Sequence, residues 1–225
     1  MPAPGTGVPF RTISNALATM KRLRATTASL LCLALWQAGP AAINRRLEAE
    51  DIRRATELAR WPHTDAERQQ FHARYVVAVN SPMADGFSVE RIEVMTPFRR
   101  LELIAEEHAR INDLFARGGL HDAEEALKPW RDQVSILAHL RFDLTKVILG
   151  VPEVAIAVEG TARVFPFAVD SQEVYNGPWD RQMLVGAVVE ASFDLQDVDQ
   201  TTRTVVVISN GKEIARAPVN FDAIE

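Results

Sequence analysis

The hydrophobic period of this chain changes from helical to alternating near residue 130. A helix buries residues three or four positions apart, whereas a strand with one buried face buries every second residue. Neither pattern can adopt the other structure without exposing apolar side chains, so this change constrains the fold most strongly. It predicts an α+β protein with a mainly helical part at 42–130, including one or two strands. An antiparallel, β-sandwich-like part follows at 131–225, and the helical part either packs on it or simply precedes it.

The strongest helix of the first part is predicted over residues 97–117. Thr96 suits the N-cap, Pro97 suits the first helical position, and Gly118-Gly119 suits the exit. Further helices are predicted over 44–60 and 64–74, and strands over 75–79 and 87–95. The core-facing stripe of the strongest helix recurs every three or four positions, at Phe98, Leu101, Ile104, Ala105, His108, Ile111 and Phe115.

The second part consists of short alternating segments separated by Gly, Pro, Asn and Asp, a pattern typical of antiparallel sandwiches. Asn210-Gly211 predicts a two-residue type I′ hairpin turn, because both central positions of that turn need positive φ. Strands are therefore expected on either side of this dipeptide. Other alternating segments lie at 134–142, 154–158 and 185–195.

Residues 20–42 have the layout of a secretory signal peptide. Three basic residues precede an apolar run of about 12 residues, which is shorter than the roughly 20 needed to span a bilayer. Small residues follow, and cleavage after Ala41 would place Gly39 and Ala41 at the positions that the peptidase reads. Residues 1–41 are thus predicted to be a signal peptide with a mis-called upstream start, Met20 being the true start. The protein is expected to be exported, to the periplasm or the extracellular space.

Without residues 1–41, the chain loses four basic and no acidic residues, so its formal net charge changes from −5 to −9. An acidic surface argues against nucleic acid as a partner, because phosphates repel it. The sequence has one cysteine, which leaves with the signal, so no disulfide or thiolate site is expected afterwards. No transmembrane span is predicted in the remaining chain.

The remaining chain contains none of the common catalytic or nucleotide-binding motifs, and no cofactor is predicted. His108 together with His121 and Asp122 could approach a metal if their helices folded back on each other. However, His108 lies on the apolar stripe, and no two of the five histidines share helical spacing. No metal site is therefore predicted, and these three residues are only weak candidates.

Three residues are candidates for binding a ligand. Tyr175 and Trp179 lie in an exposed-looking turn, VYNGPWD, where they either form a binding platform or cap the core. His139 lies on the polar face of its predicted strand, where it is expected to face solvent and could serve as an acid or base.

These observations favour an exported protein with a non-catalytic envelope or binding role and a protein or small-molecule partner. Two alternatives remain open at this point. One is a metal-assisted or acid–base hydrolase that uses His108, His121 and His139. The other is a scaffold protein whose helix 97–117 pairs with a partner chain.

Overall fold

Two antiparallel sheets pack face to face, and a layer of helices covers the outer face of one of them. The computed structural model describes residues 43, 47–60, 64–111, 115, 120–198 and 202–225. In these residues the helices are α1 (Ala49–Leu58), α2 (Asp65–Ala73), α3 (Pro97–Arg110) and α4 (Leu120–Leu127). The strands are β1 (Val76–Ala78), β2 (Phe87–Met95), β3 (Gln133–Phe142), β4 (Val154–Glu159), β5 (Arg163–Val164), β6 (Ala168–Asn176), β7 (Met183–Asp194), β8 (Thr202–Ser209) and β9 (Lys212–Asn220).

The five strands of sheet A lie in the order β1-β2-β3-β7-β6, and the four strands of sheet B in the order β5-β4-β8-β9. Strand β2 comes from the mainly helical part of the sequence and pairs with β3, so both parts of the chain share sheet A. Residues 41–225 form one compact unit. The α+β fold with a sandwich-like C-terminal part is confirmed.

The core lies between the inner faces of the two sheets and is apolar. Every second residue of the central strands enters it, as the alternating pattern predicts, except where a β-bulge between Val89 and Arg91 shifts the alternation of β2. Its members include Val89, Ile92, Val94, Val134, Ile136, Ala138, Leu140, Ala187, Val189, Ala191 and Phe193 from sheet A, and Ile156, Val158, Val205, Val207, Ala215, Ala217 and Val219 from sheet B.

Helix α3 begins as predicted, because the Thr96 side chain accepts a hydrogen bond from the Arg99 backbone N–H and Pro97 occupies the first turn. A second small core joins α3 to α1 and α4 and contains Ile52, Ala55, Phe98, Leu101 and Ala123. The predicted length of this helix is wrong, since α3 ends at Arg110 and not at residue 117. Within its apolar stripe Ala105 is buried and Ile111 is 63% exposed. Phe115, beyond the end of the helix, still packs against the small core. The predicted Gly118-Gly119 exit lies outside the described residues.

Two local predictions are confirmed. Thr64 and Glu67 form the capping box that starts α2. The β8–β9 hairpin turns at Asn210 and Gly211, whose φ values are +50° and +72°, as a type I′ turn requires. Strand β6, by contrast, was not predicted.

The predicted signal peptide lies outside the described residues. Among the residues that are described, no helix combines the length and the apolar character needed to cross a membrane.

Candidate functional site

The two aromatic candidates lie at one end of β6 and are exposed. Tyr175 is 49% exposed and donates its hydroxyl hydrogen to Glu173 at 2.6 Å. Trp179 lies in a short 3₁₀ turn after β6 and is 90% exposed. The alternative that Trp179 caps the core is therefore wrong. Tyr175 belongs to the strand and not to the turn, so the two residues lie in different backbone settings.

His139 does not face solvent, which corrects the expectation from its polar face. Its side chain is only 15% exposed, and its Nε2 lies 3.1 Å from Oε2 of Glu93 on β2. Near α3, the outer face of sheet A is polar because its side chains contact charged groups of that helix, as Glu93 and Ser135 do. The pairing of His139 with Glu93 places it in a buried cluster of charged groups.

The three weak metal candidates belong to the helical layer. The ring of His108 stacks on Phe115 with centroids 4.4 Å apart. His121 is exposed and Asp122 is half-buried on α4. Across the described residues, no group of three or more His, Cys, Asp or Glu side chains has the geometry to hold a metal ion. His139 lies on a strand of sheet A, in a different layer from the other two histidines.

Arg99 is the centre of the buried charge, and we name Glu93, Arg99, Glu102, His72 and His139 the Arg99 cluster. The Arg99 side chain is 4% exposed. Its Nη2 donates to Glu93 at 3.0 Å and its Nη1 to Glu102 at 3.3 Å, and Nη1 also donates to Nδ1 of His72. The guanidinium carbon lies 5.0 Å from the centre of the Tyr75 ring. One cation thus joins α2 and α3 to sheet A.

The two carboxylates of the Arg99 cluster have opposite pKa shifts. Burial opposes ionisation of Glu93, but hydrogen bonds from His139 and Arg99 outweigh it and lower the pKa of Glu93 to about 2. Burial dominates at Glu102 and raises its pKa to about 7, against the attraction of Arg99 and with the help of the Glu106 charge. Burial and the Arg99 charge lower the pKa of His72. Glu102 therefore exchanges a proton near neutral pH, while Glu93 stays ionised.

A cavity of about 240 Å³ lies beside the Arg99 cluster. Glu102 and His72 form part of its wall together with Arg68 and Glu106, which are joined by an ion pair of 2.8 Å. Each buried charge here has an opposite charge beside it, which is the condition under which ion pairs are tolerated in an interior. The ion pair between Arg68 and Glu106 joins α2 to α3.

A different feature of sheet A concerns β6, whose nine residues are all exposed. The register of β6 with β7 places Val169, Ser171 and Glu173 opposite buried residues of β7, namely Ala191, Val189 and Ala187. Directly opposite residues of paired strands lie on the same face of a sheet. This row of β6 therefore lies on the inner face, which sheet B covers at β7 but not at β6.

A groove of about 260 Å³ lies where β6 extends beyond sheet B. We name it the β6 groove. The chain before and at the start of β4 forms one wall, and β6 with β7 forms the other. Its lining residues are Val151, Pro152, Glu153, Val154, Val169, Asp170, Ser171 and Val189.

Exposed aromatic side chains extend the apolar surface at the start of β6. Phe165 and Phe167 are 60% and 56% exposed, and they flank Pro166 in the connection from β5 to β6. Large exposed apolar surfaces mark binding sites in soluble proteins. Residues 165–179 thus present apolar and aromatic groups at both ends of one edge strand.

Sequence reasoning missed both features, although each leaves a signal. Arg99, Glu102 and Glu106 are spaced i, i+3 and i+7, which is a second helical stripe beside the apolar one. Such a stripe usually faces water, so only the contacts show that it is buried. The Phe165-Pro166-Phe167 sequence exposes two aromatic residues, but the sequence does not show that sheet B ends beside them.

Comparisons with known proteins add little to this geometry. No protein-family model matches the chain, and no curated protein matches it. It is similar to a chain in a crystal structure described as a novel protein of unknown function from Burkholderia pseudomallei. The identity is 13% and the TM-score is 0.36, with 79% of this chain and 91% of that chain covered.

Proposed function

We propose that this chain is an exported, non-catalytic protein that binds a partner through β6 and the turn that follows it. The observation that carries the proposal is the exposure of all nine residues of β6 at the edge of sheet A. A long exposed edge strand with apolar side chains pairs readily with other chains, so proteins usually shorten or cover it. Here Val169, Val174 and Tyr175 remain exposed along it, and Trp179 follows.

The export part of the proposal is supported by the order of basic, apolar and small residues at 20–42. A binding protein outside the cytoplasm needs neither nucleotide nor reduced thiols, which agrees with the motifs and the cysteine content of residues 42–225.

The two alternatives have weaker support from the geometry. A hydrolase would need His108, His121 and His139 in one cleft, but His139 pairs with Glu93 in sheet A while the other two belong to the helical layer. A helical scaffold would need a free apolar face on α3. The apolar residues Phe98 and Leu101 of α3 are buried against α1 and α4 of the same chain.

Site-specific photo-crosslinking in the producing cell tests the binding site. A photoreactive residue replaces Val169 or Trp179, and a matched replacement of Lys128 on the helical layer is the control, because its side chain is 70% exposed. We expect one discrete adduct from positions 169 and 179 and none from position 128. Equal labelling at all three positions would contradict a specific site at β6.

Cell fractionation with N-terminal sequencing tests export separately. We expect the protein outside the cytoplasm with its N-terminus at or near Ala42. Recovery of the intact N-terminus at Met1 in the cytoplasm would refute export without bearing on the β6 site.

A further inference from the structure

Resting on the proposed function, we infer that the partner is an extended, basic peptide segment that adds as a strand to β4 and covers the inner face of β6. The segment would extend sheet B at a place where its edge lies beside an uncovered part of sheet A. Strand addition of this kind obtains affinity from backbone hydrogen bonds and specificity from alternate side chains. Three independent features of the β6 groove support it.

The first feature is the unpaired backbone of β4. Strand β5 has two residues and pairs with β4 only at Val158 and Glu159. Gly160 donates its N–H to the Ala162 carbonyl on the β5 side. Since backbone groups alternate between the two edges of a strand, the N–H and C=O of Ile156 face the same side. Among the described residues, no strand pairs with β4 on this side between Val154 and Ala157.

The second feature is the reason why this edge stays open. Pro166 follows β5 by two residues, and proline has no N–H to donate to a neighbouring strand. The chain then crosses to sheet A and becomes β6 at Ala168. Strand β5 therefore ends after two residues and leaves the first part of β4 without a neighbouring strand on this side. Neighbouring strands lie about 4.8 Å apart, so one added strand would lie directly over the next part of sheet A.

The third feature is the uncovered face that such a strand would meet. Val169 is 53% exposed, although its neighbour across the ladder, Ala191, is fully buried. Val151, Val154 and Val189 also line the groove. Val154 and Val189 are already buried, whereas Val169 is not. An added strand with apolar residues at every second position would extend the buried surface and cover Val169, as the rest of sheet B covers sheet A.

The charge of the groove indicates a basic occupant. The residues that line it include no Lys or Arg. Glu153 belongs to this lining, and Glu173 continues the inner row of β6. Asp170 also lines the groove, but it pairs with Glu190 and its side chain therefore lies on the outer face. Neither Glu153 nor Glu173 has an ion pair in the part of the chain that the structure describes. Lysine or arginine beside the apolar residues would supply the complementary charge. A second copy of this chain fits less well, because the β6 strand of that copy would bring a further carboxylate to a groove that is already acidic.

Binding of labelled heptapeptides to the purified protein, followed by fluorescence anisotropy, tests the inference. The parent probe is Lys-Val-Thr-Val-Thr-Val-Lys, and the charge control replaces both lysines by glutamate. We expect the parent to bind about tenfold or more tightly than the acidic control, a ratio that two favourable charge contacts of about 0.7 kcal/mol each would produce. Equal binding of both peptides would overturn the basic occupant.

Two N-methylated versions of the parent probe distinguish strand addition from side-chain contact alone. One carries methyl groups on the valine amides and the other on the threonine amides, so each blocks one edge of the peptide. We expect one version to bind about tenfold more weakly and the other to bind as the parent does, because only one edge pairs with β4. Parent-like binding of both versions would overturn strand addition.

Protein variants locate the site. Val169→Lys should weaken binding of the parent probe about tenfold, because it places a cation and a longer side chain in the groove. Val147→Lys is the matched control, since this valine is 88% exposed and lies outside the groove, and we expect no change. Crosslinks at Val169 without binding of any peptide would overturn this inference and keep the proposed function. Absence of both crosslinks and peptide binding would overturn the proposed function itself.

Discussion

The inner and outer faces of sheet A are built from the same strands but are held by different interactions. On β3 the inner residues Ile136 and Ala138 pack in the apolar core against sheet B. The outer residues Ser135 and His139 instead contact charged groups: Ser135 accepts a hydrogen bond from Arg100 of α3 at 2.7 Å, and His139 pairs with Glu93. The hydrophobic effect fixes sheet B over one face, whereas hydrogen bonds and ion pairs fix the helices over the other.

This difference explains how sheet B and the helices are each positioned on sheet A. Apolar burial has little directional preference, so the free energy that holds the two sheets together depends on the area buried and on close packing. Ion pairs and hydrogen bonds have narrow geometry, so Arg99 holds α3 at one position over β2. The charged contacts between the helices and sheet A are also the more sensitive to mutation. Removal of one partner leaves other charges buried without a counter-charge.

The largest expected change in stability follows from removing Arg99, the cation at the centre of the Arg99 cluster. Arg99→Ala should lower the free energy of unfolding by about 3–5 kcal/mol, because Glu93 and Glu102 would remain buried without their cation. Denaturant unfolding at neutral pH measures this loss. Arg110→Ala is the matched control on the same helix, since its ion pair with Glu107 is exposed, and it should leave stability unchanged.

A combined variant separates the charge effect from simple loss of packing. Arg99→Met together with Glu93→Gln and Glu102→Gln should recover part of the lost stability, because no buried charge is then left unpaired among these three positions. If the combined variant is no more stable than Arg99→Ala, the outer face depends on packing and the contrast between the two faces fails.

A smaller effect is expected from matched truncations on the two faces of β3. Ile136→Ala on the inner face should cost about 2–5 kcal/mol, because it removes buried methyl and methylene groups from a closed core. Leu137→Ala on the outer face should cost about 1–2 kcal/mol, because this neighbour is only half-buried. Both are measured by denaturant unfolding. Equal losses would mean that helices cover the outer face as tightly as sheet B covers the inner one.

The last effect concerns pH and one carboxyl group of the Arg99 cluster. The pKa of Glu102 is about 7 in the folded protein and near its usual value of 4.5 in the unfolded chain. The folded state thus binds more protons between these two values, and stability should fall as the pH rises from 4.5 to 7. Glu102→Gln should remove this part of the pH dependence and stabilise the protein at pH 8 by about 2–3 kcal/mol.

Thermal or denaturant unfolding of Glu102→Gln and the parent protein at pH 4 and pH 8 checks this sign. Glu93→Gln is the contrasting variant, because the pKa of Glu93 is lowered to about 2 and its stabilisation is lost only as the pH falls from 4.5 toward 2. A destabilised Glu102→Gln at pH 8 would show that the ion pair with Arg99 outweighs the cost of burying the carboxylate.

Much of the fold could be predicted from local sequence patterns. The start of α3 at Thr96-Pro97, the capping box at Thr64 and the hairpin at Asn210-Gly211 depend on backbone groups within a few residues. The alternation along β3 likewise shows which residues enter the core. Local geometry and hydrophobic period determine these features, so the sequence alone was sufficient for them.

The candidate sites depended on contacts that no local pattern contains. The alternation of β3 shows that His139 leaves the core, but not that Glu93 and the helix bearing Arg99 meet it there. The sequence shows that Tyr175 and Trp179 lie close to Gly and Pro, but not that β6 extends beyond the other sheet.

The sequence by itself determined where helices and strands form and which of their faces is apolar, because propensity, capping and period act over a few neighbouring residues. Only the tertiary structure decided what lies against the remaining faces. Whether a charged side chain such as Glu102 is solvated or buried depends on partners distant in sequence, and its pKa depends on that environment. Whether Val169 is covered depends on how far sheet B extends beside it. At this edge the outermost strand, β5, has only two residues, and Val169 stays exposed.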